Sequence, residues 1–390
     1  MFDVERARAV TPGAADRIHL NNAGAALMTQ TVLDAQIDHL RLEATLGGYE
    51  AAAAVEERFN RVYGSIATLI GSSTEEIAIV DNATVAWDLA FGSIRLGEGD
   101  VILTTEAEYA ANFIMYLKAK RDHGVEVQVV RSDASGQIDV AALADAVDER
   151  TKLISISHIP TNGGLVNPAE EVGAVAREAG VPFLLDACQS VGQLDVDVTA
   201  LSCDFLSATG RKFLRGPRGT GFLYVRREML DKLEPPVIDL HGATWVSADR
   251  YEMRPDARRY ETWEFNYAAV LGLGMAVDEA LDWGLPAIEE RVTALGASLR
   301  SKLTDAGFDT YDIGRRQCAI VTTHVPGRAA AEVGTILFDE GINVSVTGAD
   351  STRIDAERRG LPELIRISPH YYNTEGELDE TVAALVRLRP

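Results

Sequence analysis

Cysteine is scarce in this chain of 390 residues, which contains only Cys188, Cys203 and Cys318. No two of them form a C-x-x-C pair, and none lies with histidine at the spacing of a metal site. A sparse, odd number of cysteines is typical of a reducing compartment. The sequence therefore predicts a cytoplasmic protein with no disulfide framework and no metal centre.

Long apolar runs are also missing. No run approaches the roughly 18 residues that span a bilayer, and the N-terminal MFDVERARAV lacks the apolar core of a signal peptide. Basic residues are outnumbered, since 37 Lys and Arg against 59 Asp and Glu give a net charge of −22. Such a surface repels nucleic-acid phosphates and anionic lipids. Neither nucleic acid nor a membrane is an expected partner.

From about residue 77, short apolar runs alternate with helical patterns. This alternation predicts an α/β fold with a mainly parallel sheet. A dinucleotide-binding fold would also alternate in this way, but no G-x-G-x-x-G follows the first strand. The predicted strands lie at 76–80, 100–105, 125–130, 152–157, 182–187, 204–208 and 221–225, and helices between them are predicted near 84–94, 109–122, 138–148 and 169–179.

The last third of the chain has a different pattern. Residues 234–262 are rich in proline, arginine and aromatic residues, and we predict an irregular connection there. Next come predicted helices at 266–283, 285–306, 328–340 and 374–388, and predicted strands at 318–323, 341–346 and 363–368. Together they indicate a smaller α+β unit. We predict an N-terminal segment over 1–20, a large domain over 21–255 and a small domain over 256–390.

The chemistry is concentrated in residues 181–225. Asp186 ends a buried apolar strand, where a carboxylate is costly unless a cation or hydrogen-bond donors meet it. Lys212 follows the next strand, beside Gly210, and in such a setting the pKa of a lysine falls and its amine becomes a nucleophile. An enzyme that uses pyridoxal 5′-phosphate (PLP) needs this pair. The lysine forms the Schiff base, and the carboxylate keeps the pyridine nitrogen protonated so that the ring accepts electrons.

The same block resembles the cofactor site of the class V aminotransferase and cysteine desulfurase superfamily. The family pattern is Asp-x-x-Gln/His, then Ser/Thr-x-x-Lys, then Gly-Pro-x-Gly-x-Gly. The residues that carry the likeness are Asp186, Gln189, Thr209, Lys212, Gly216, Pro217, Gly219 and Gly221. The likeness extends from about residue 20 to residue 388. It implies PLP-dependent fold type I, with a mainly parallel sheet in the large domain and a smaller α+β C-terminal domain.

The resemblance assigns roles around the cofactor. Lys212 would be the catalytic residue that binds PLP covalently, Asp186 would meet the ring nitrogen, and Gln189 would meet the phenolate oxygen. The turn that opens a helix in DNATVAWDLAF would hold the phosphate, because the first N–H groups of a helix favour an anion. The remaining implied contacts are Thr84, Val85, Thr209 and Arg211 for the phosphate, and Thr161 and Asn162 for the phenolate oxygen or the substrate.

Substrate contacts are implied by three further segments. In ELIRISPHYYNT, Arg366 matches the arginine that binds the α-carboxylate through a two-pronged salt bridge, a task that suits a planar guanidinium. In AEYAANF, the histidine that stacks on the ring in desulfurases is replaced by Ala110, and its neighbours Tyr109 and Asn112 become candidates for substrate contact. Asn22, in LNNAGAALM, is the fourth candidate.

The resemblance also implies a homodimer. In the family, the segment that matches 260–268 comes from the neighbouring subunit and reaches the phosphate with a Gly-Thr pair. Here Trp263 and Glu264 take those positions, and a carboxylate beside a phosphate would be repulsive. We therefore expect Glu264 to point elsewhere, at Arg211, at Arg218 or at the substrate.

The reaction is predicted from what the site lacks. A cysteine desulfurase needs a mobile cysteine in the small-domain loop, which spans 341–360 here and contains none. We therefore expect β-elimination from a cysteine-derived amino acid, a small-molecule substrate. Lys212 would remove the Cα proton, and a sulfur leaving group would depart from Cβ. The stretches 41–52 and 108–112 are similar to C–S lyases such as hercynylcysteine sulfoxide lyase.

Other reactions of the superfamily stay open. They are transamination by an aminotransferase, decarboxylation coupled to deamination, and epimerisation. A non-catalytic PLP-binding regulator fits the sequence less well, because such proteins carry an added helix-turn-helix domain. The likeness leaves no room for that domain, and the net charge opposes DNA binding.

Overall fold

The computed structural model describes residues 2–389. Its helices are α1 Val4–Ala9, α2 Gln30–Leu46, α3 Gly48–Ala54, α4 Glu56–Ile70, α5 Ala83–Ser93, α6 Ala110–His123, α7 Val140–Ala146, α8 Ala169–Ala179, α9 Val198–Leu201, α10 Arg227–Leu230, α11 Tyr267–Trp283, α12 Leu285–Asp305, α13 Ala330–Asp339, α14 Arg353–Arg359 and α15 Glu375–Arg387. Its strands are β1 Ile18–His19, β2 Ile77–Val80, β3 Val101–Thr105, β4 Glu126–Val130, β5 Thr151–Ser157, β6 Phe183–Asp186, β7 Phe205–Thr209, β8 Gly221–Val225, β9 Ala243–Ser247, β10 Arg250–Met253, β11 Val321–Thr323, β12 Ile342–Asn343, β13 Ser345–Thr347 and β14 Leu364–Ile367.

A seven-stranded sheet forms the centre of the molecule, in the order β2-β8-β7-β6-β5-β3-β4. Strand β8 runs antiparallel to both of its neighbours, and the other pairs are parallel. Every residue of β6, β7 and β8 is buried, as expected for strands covered on both faces. The predicted α/β fold with a mainly parallel sheet is confirmed.

The sheet brings several polar strand ends to one edge. Strand β5 ends at Ser157, β6 at Asp186 and β7 at Thr209, and these three strands are parallel neighbours. The carboxyl ends of parallel strands are where ligands bind in α/β sheets. Helix α5 begins at the same edge, three residues beyond the end of β2.

A second, smaller sheet has the order β11-β14-β13 and is antiparallel. Its apolar residues form one buried cluster with α12, α13 and α15. The N-terminal strand β1 pairs with β12 of this region, so the start of the chain lies beside its last third. Helix α11 packs against α2 and α4 and buries its apolar residues in the core of the large sheet. The domain boundary at residues 255 and 256 stays a prediction.

The connection at 234–262 differs from the prediction, because β9 and β10 form an antiparallel hairpin within it. Most residues of both strands are exposed. The two strands therefore do not depend on a buried apolar face. Their sequence lacks the alternation of apolar and polar residues that predicts a strand.

Helices α2, α3 and α4 were not predicted either, although α4 carries a visible signal. Its buried residues Phe59, Val62, Tyr63, Ile66 and Ile70 recur at helical spacing. None of the helices within residues 2–389 is long and apolar enough to cross a bilayer.

Candidate active site

A cavity of about 530 Å³ opens at the carboxyl edge of the large sheet. It lies between the start of α5, the start of α6 and the ends of β5, β6 and β7. The residues that line it are Asp81, Asn82, Ala83, Thr84, Val85, Tyr109, Asn112, Ser157, Ile159, Thr161, Asp186, Cys188, Gln189, Thr209, Arg211, Lys212, Arg218 and Gly219. Most of the residues predicted for the cofactor therefore face one space.

Lys212 lies in a tight loop that follows β7. Its carbonyl accepts from Arg215 N at 2.9 Å, and Gly216 N donates to Gly210 O at 2.8 Å, which folds the loop back on itself. Burial lowers the pKa of Lys212, and the nearby Arg211 lowers it further. A lowered pKa increases the fraction of neutral amine, the form that attacks a carbonyl.

Asp186 is 8% exposed and stands at the end of β6. Its Oδ1 accepts from Cys188 N at 2.9 Å, and its Oδ2 accepts from Asn112 Nδ2 at 3.0 Å. Burial raises the pKa of Asp186, because a charged carboxylate is poorly solvated there. A cation placed against this carboxylate would stabilise its ionised form.

The turn before α5 is built to receive an anion. Asn82 caps the helix by accepting from Val85 N at 3.0 Å. The cap satisfies one of the first N–H groups of the helix, and Thr84, the residue before Val85, lines the cavity. Binding of the phosphate by its N–H and hydroxyl, which the resemblance implies, stays a prediction.

Arg366, on the central strand of the small sheet, is 7% exposed. Its Nη1 donates to Thr161 Oγ1 at 2.6 Å, and its Nη2 donates to Asn21 Oδ1 at 3.5 Å. Its Nε is buried and has no partner among residues 2–389. Nε could therefore donate to a new partner, whereas Nη2 could do so only if its bond to Asn21 broke, and the binding of the α-carboxylate by Arg366 stays a prediction. Burial lowers the pKa of Arg366 to about 10, which leaves it a cation at neutral pH.

Asn22 and Asn162 are committed to other contacts in this structure. Asn22 Nδ2 donates to Ser368 O at 2.7 Å, and its Oδ1 accepts from Tyr372 OH at 2.6 Å. Asn162 Nδ2 donates to Gly348 O at 2.9 Å. Substrate contact by Asn22 and cofactor contact by Asn162 stay predictions, and each would require such bonds to break.

Cys188 and Arg218 line the cavity although neither was predicted to. Cys188 lies between the two residues of the Asp-x-x-Gln pattern, which is the signal that could have placed it. Tyr109 lines the cavity and is 39% exposed, whereas Asn112 is 3% exposed and is bonded to Asp186.

Trp263 and Glu264 line a different cavity, of about 520 Å³. Tyr49, Tyr63 and His241 also contribute to it. Glu264 of this chain therefore does not reach Arg211 or Arg218, which line the cavity that contains Lys212. The cross-subunit role of the segment stays a prediction.

The sequence and the fold can be compared with known proteins. A family model described as aminotransferase class-V matches residues 18–381. The chain belongs to the class V aminotransferases. Members of this family adopt PLP-dependent fold type I, and PLP is the cofactor of this enzyme.

Relatives of this class V enzyme cover nearly its whole length. A probable cysteine desulfurase from Methanothermobacter thermautotrophicus is 28% identical over 382 residues, which are 96% of this chain and 95% of that protein. A cysteine desulfurase from Yersinia pestis is 29% identical over 401 residues, with coverage of 99% and 98%. The apo structure of a cysteine desulfurase from Thermococcus onnurineus superposes with a TM-score of 0.91, at 26% identity and coverage of 98% and 97%.

The residues of the cavity fit PLP. Gln189 Oε1 is buried and has no hydrogen-bond partner among residues 2–389. Asp186 is a buried carboxylate at the end of the cavity that can meet a ring nitrogen, and Lys212 is within the same space. Thr84 and Thr209 line the same space, the Thr209 hydroxyl donates to Thr220 O at 3.2 Å, and the contact of both residues with the phosphate stays a prediction. Residues 2–389 contain no group of three or more His, Cys, Asp or Glu side chains that could hold a metal ion.

Proposed function

We propose that this class V enzyme cleaves a carbon–sulfur bond of a cysteine-derived amino acid by β-elimination, without a catalytic cysteine. The relatives named cysteine desulfurase support chemistry at the sulfur of cysteine. The loop over 341–360 carries the proposal, because it contains no cysteine and is held against the large sheet.

Hydrogen bonds join this loop to Asn162 and Ala110. Asn162 Nδ2 donates to Gly348 O and to Thr352 Oγ1, both at 2.9 Å. Ala110 N donates to Ser351 O at 3.0 Å. A loop bonded in this way is held in place, whereas a desulfurase loop must move a nucleophile into the site.

The three cysteines differ in their access to substrate. Cys203 and Cys318 are fully buried in apolar clusters. Cys188 lines the cavity, but burial raises the pKa of its thiol, which keeps it protonated and weakly nucleophilic.

The cofactor supplies one function for elimination and the chain supplies two. When bound, PLP supplies an electron-accepting ring that stabilises negative charge at Cα. Lys212 Nζ takes the Cα proton, and Arg366 exchanges its bond to Asn21 for the α-carboxylate, which it holds so that the Cα–H bond points at Lys212. The C–S bond then breaks with its electron pair on sulfur. Addition of water releases pyruvate and ammonia beside a thiol or sulfenate.

We expect a variant with Cys188, Cys203 and Cys318 all replaced by alanine to keep turnover within about threefold of wild type. A small loss is expected only because buried side chains become smaller. Pyruvate and ammonia are measured against a panel of cysteine S-conjugates and their sulfoxides. Lys212→Ala serves as the inactive control.

Mass spectrometry of the wild type after turnover completes this experiment. A folded but inactive cysteine-free variant, together with a persulfide on Cys188 in the wild type, would establish a desulfurase and reject our proposal. Amino transfer to a 2-oxo acid, or racemised substrate with no pyruvate, would instead support the aminotransferase or epimerase alternative.

We also propose that the enzyme is a homodimer. Leu46, Tyr49, Leu240 and Trp263 are large apolar residues between 52% and 77% exposed, and we call them the apolar patch. Tyr49 and Trp263 line the same cavity. Trp263 N donates to Asp239 Oδ2 at 2.7 Å, which places Trp263 beside Leu240 in space. Exposed patches of this kind are typical of protein interfaces.

Sedimentation is expected to show a dimer at micromolar concentration. The double variant Tyr49→Asp, Trp263→Asp should raise the dimer dissociation constant by about 100-fold or more, because aromatic residues dominate interface energies. Phe338→Asp is the matched control, since Phe338 is 57% exposed on α13 and lies outside the apolar patch. A fully active wild-type monomer would refute the dimer.

A further inference from the structure

Glu108 is a buried carboxylate to which neither the resemblance nor the proposed reaction gives a role. It is 3% exposed, and five donors meet its two oxygens. Oε1 accepts from Tyr109 N at 2.8 Å, Asn112 Nδ2 at 2.9 Å and Ser157 Oγ at 2.5 Å. Oε2 accepts from Ser157 N at 2.9 Å and Thr104 Oγ1 at 3.2 Å. Its orientation is therefore fixed from several sides.

Asn112 connects Glu108 to the cofactor site. The Nδ2 atom that donates to Glu108 Oε1 also donates to Asp186 Oδ2 at 3.0 Å. This amide nitrogen carries two hydrogens, so each carboxylate can accept one of them. Glu108 thereby determines which end of the Asn112 amide faces Asp186.

Several titratable groups face this network. Asp186 lies across Asn112 from Glu108, Tyr116 lies on the same helix as Asn112, and Lys212 lies beyond Asp186. Burial raises the pKa of Glu108 to about 7, and the charge of Asp186 acts in the same direction. No lysine or arginine within residues 2–389 forms a salt bridge with Glu108. When ionised, Glu108 adds negative charge behind Asp186.

We propose that Glu108 is a positioning residue for the cofactor, which acts through Asn112 to hold Asp186 against the protonated ring nitrogen of PLP. Asp186 Oδ1 is fixed by Cys188 N and Oδ2 by Asn112, so its remaining lone pairs are directed into the cavity. Loss of Glu108 frees the Asn112 amide to turn, and it also removes a negative charge from behind the ring. Both effects weaken the hold on a cationic ring.

The test compares Glu108→Gln, Asn112→Ala and the double variant. Glutamine keeps the shape of Glu108, but its amide must place a donor against Ser157 N or against Asn112 Nδ2. Glu108→Gln should weaken PLP binding by about tenfold, as expected for one hydrogen bond to a charged group. The pH midpoint of the visible absorption of the Lys212-linked cofactor should fall by about 0.5 unit.

The double variant shows whether Glu108 acts through Asn112 or whether its loss disturbs the site independently of Asn112. If Glu108 acts through Asn112, adding Glu108→Gln to Asn112→Ala should change PLP affinity by a clearly smaller factor than Glu108→Gln does alone, because only the effect of the lost charge is left. The proposal would be overturned if Glu108→Gln changed PLP affinity by the same factor in the wild type and in the Asn112→Ala variant. An unchanged affinity and pH midpoint in the Glu108→Gln single variant would also overturn it.

Two further variants control for stability. Glu261 is also a buried carboxylate, 2% exposed, which accepts from Ile79 N at 2.7 Å and Tyr63 OH at 3.1 Å and does not line the Lys212 cavity. Glu261→Gln should lower the melting temperature and leave PLP affinity unchanged. A loss of PLP affinity equal to that of Glu108→Gln would overturn the proposal.

Should Glu108→Gln not fold, Thr104→Val removes one bond to Glu108 and should shift the pH midpoint in the same direction by a smaller amount. No shift in a folded Thr104→Val protein would then count against the proposal.

Discussion

Lys212→Ala is expected to yield an enzyme that binds PLP without a covalent link and has lost turnover by roughly 10³-fold or more. The physical reason is that Lys212 supplies both the amine that links the cofactor and the base that moves the Cα proton. Burial lowers the pKa of this amine, so it is available in its neutral form. Borohydride reduction followed by mass spectrometry measures the link, and pyruvate release measures the turnover.

The matched control is Lys232→Ala, which removes an exposed lysine that does not line the Lys212 cavity. It should retain the reducible link and wild-type turnover. A borohydride-reducible linkage that persists in Lys212→Ala would show that another lysine holds the cofactor.

Asp186→Asn should reduce turnover by roughly 10²–10³-fold, the size of effect seen when one preorganised electrostatic contact is removed. Asparagine has the shape of aspartate but carries no charge to stabilise a protonated ring nitrogen. Its amide would also face a donor, because Cys188 N and Asn112 Nδ2 both donate to Asp186 in the native enzyme. The measurements are turnover and the visible absorption of the bound cofactor.

Asp312→Asn provides the comparison for this variant. Asp312 is also buried, and it accepts from Arg300 Nε at 2.8 Å and from Thr322 Oγ1 at 2.9 Å, outside the cofactor cavity. The Asp312→Asn variant should have a lower free energy of unfolding than the wild type, and the visible absorption of its bound cofactor should be unchanged. Wild-type turnover in a folded Asp186→Asn protein would exclude Asp186 as the partner of the ring nitrogen.

Asp186 and Lys212 could be predicted because each follows a buried strand that is visible as an apolar run. Strand β6 ends at Asp186, and β7 ends three residues before Lys212. The carboxyl ends of parallel strands meet at one edge, so the strand prediction alone brings such residues together. The family likeness then supplied their roles.

Side-chain direction could not be predicted in the same way. Asn21 and Asn22 are adjacent, yet Asn21 Oδ1 faces Arg366 while Asn22 is bonded to Ser368 and Tyr372. Adjacent residues of an extended chain point to opposite sides. The bridge between Asn21 and Ser368 decides which of the two residues faces the site. The sequence around residues 21 and 22 does not show how this segment is aligned with Ser368.

The bonds of Asn162 illustrate a second limit. Its partners Gly348 and Thr352 lie 186 and 190 residues further along the chain. A motif around 157–168 shows that a turn exists there, but it cannot show what the small sheet brings against that turn. Long-range contacts between two units therefore had to come from the structure.

Strand β1 has a consequence for the order in which the molecule is completed during its synthesis. His19 and Asn343, which face each other in the β1–β12 pair, are 324 residues apart in the chain. At about 5–20 residues per second, a ribosome needs roughly 15 seconds to one minute to make that stretch. Strand β1 has no partner for all of that time. The residues that line the cofactor cavity, all within 81–219, are made long before the pairing of Asn21 with Arg366 becomes possible. The cofactor cavity is therefore synthesised first, and the contact between Asn21 and Arg366 forms only when the newly made strand β14 meets the segment that follows β1.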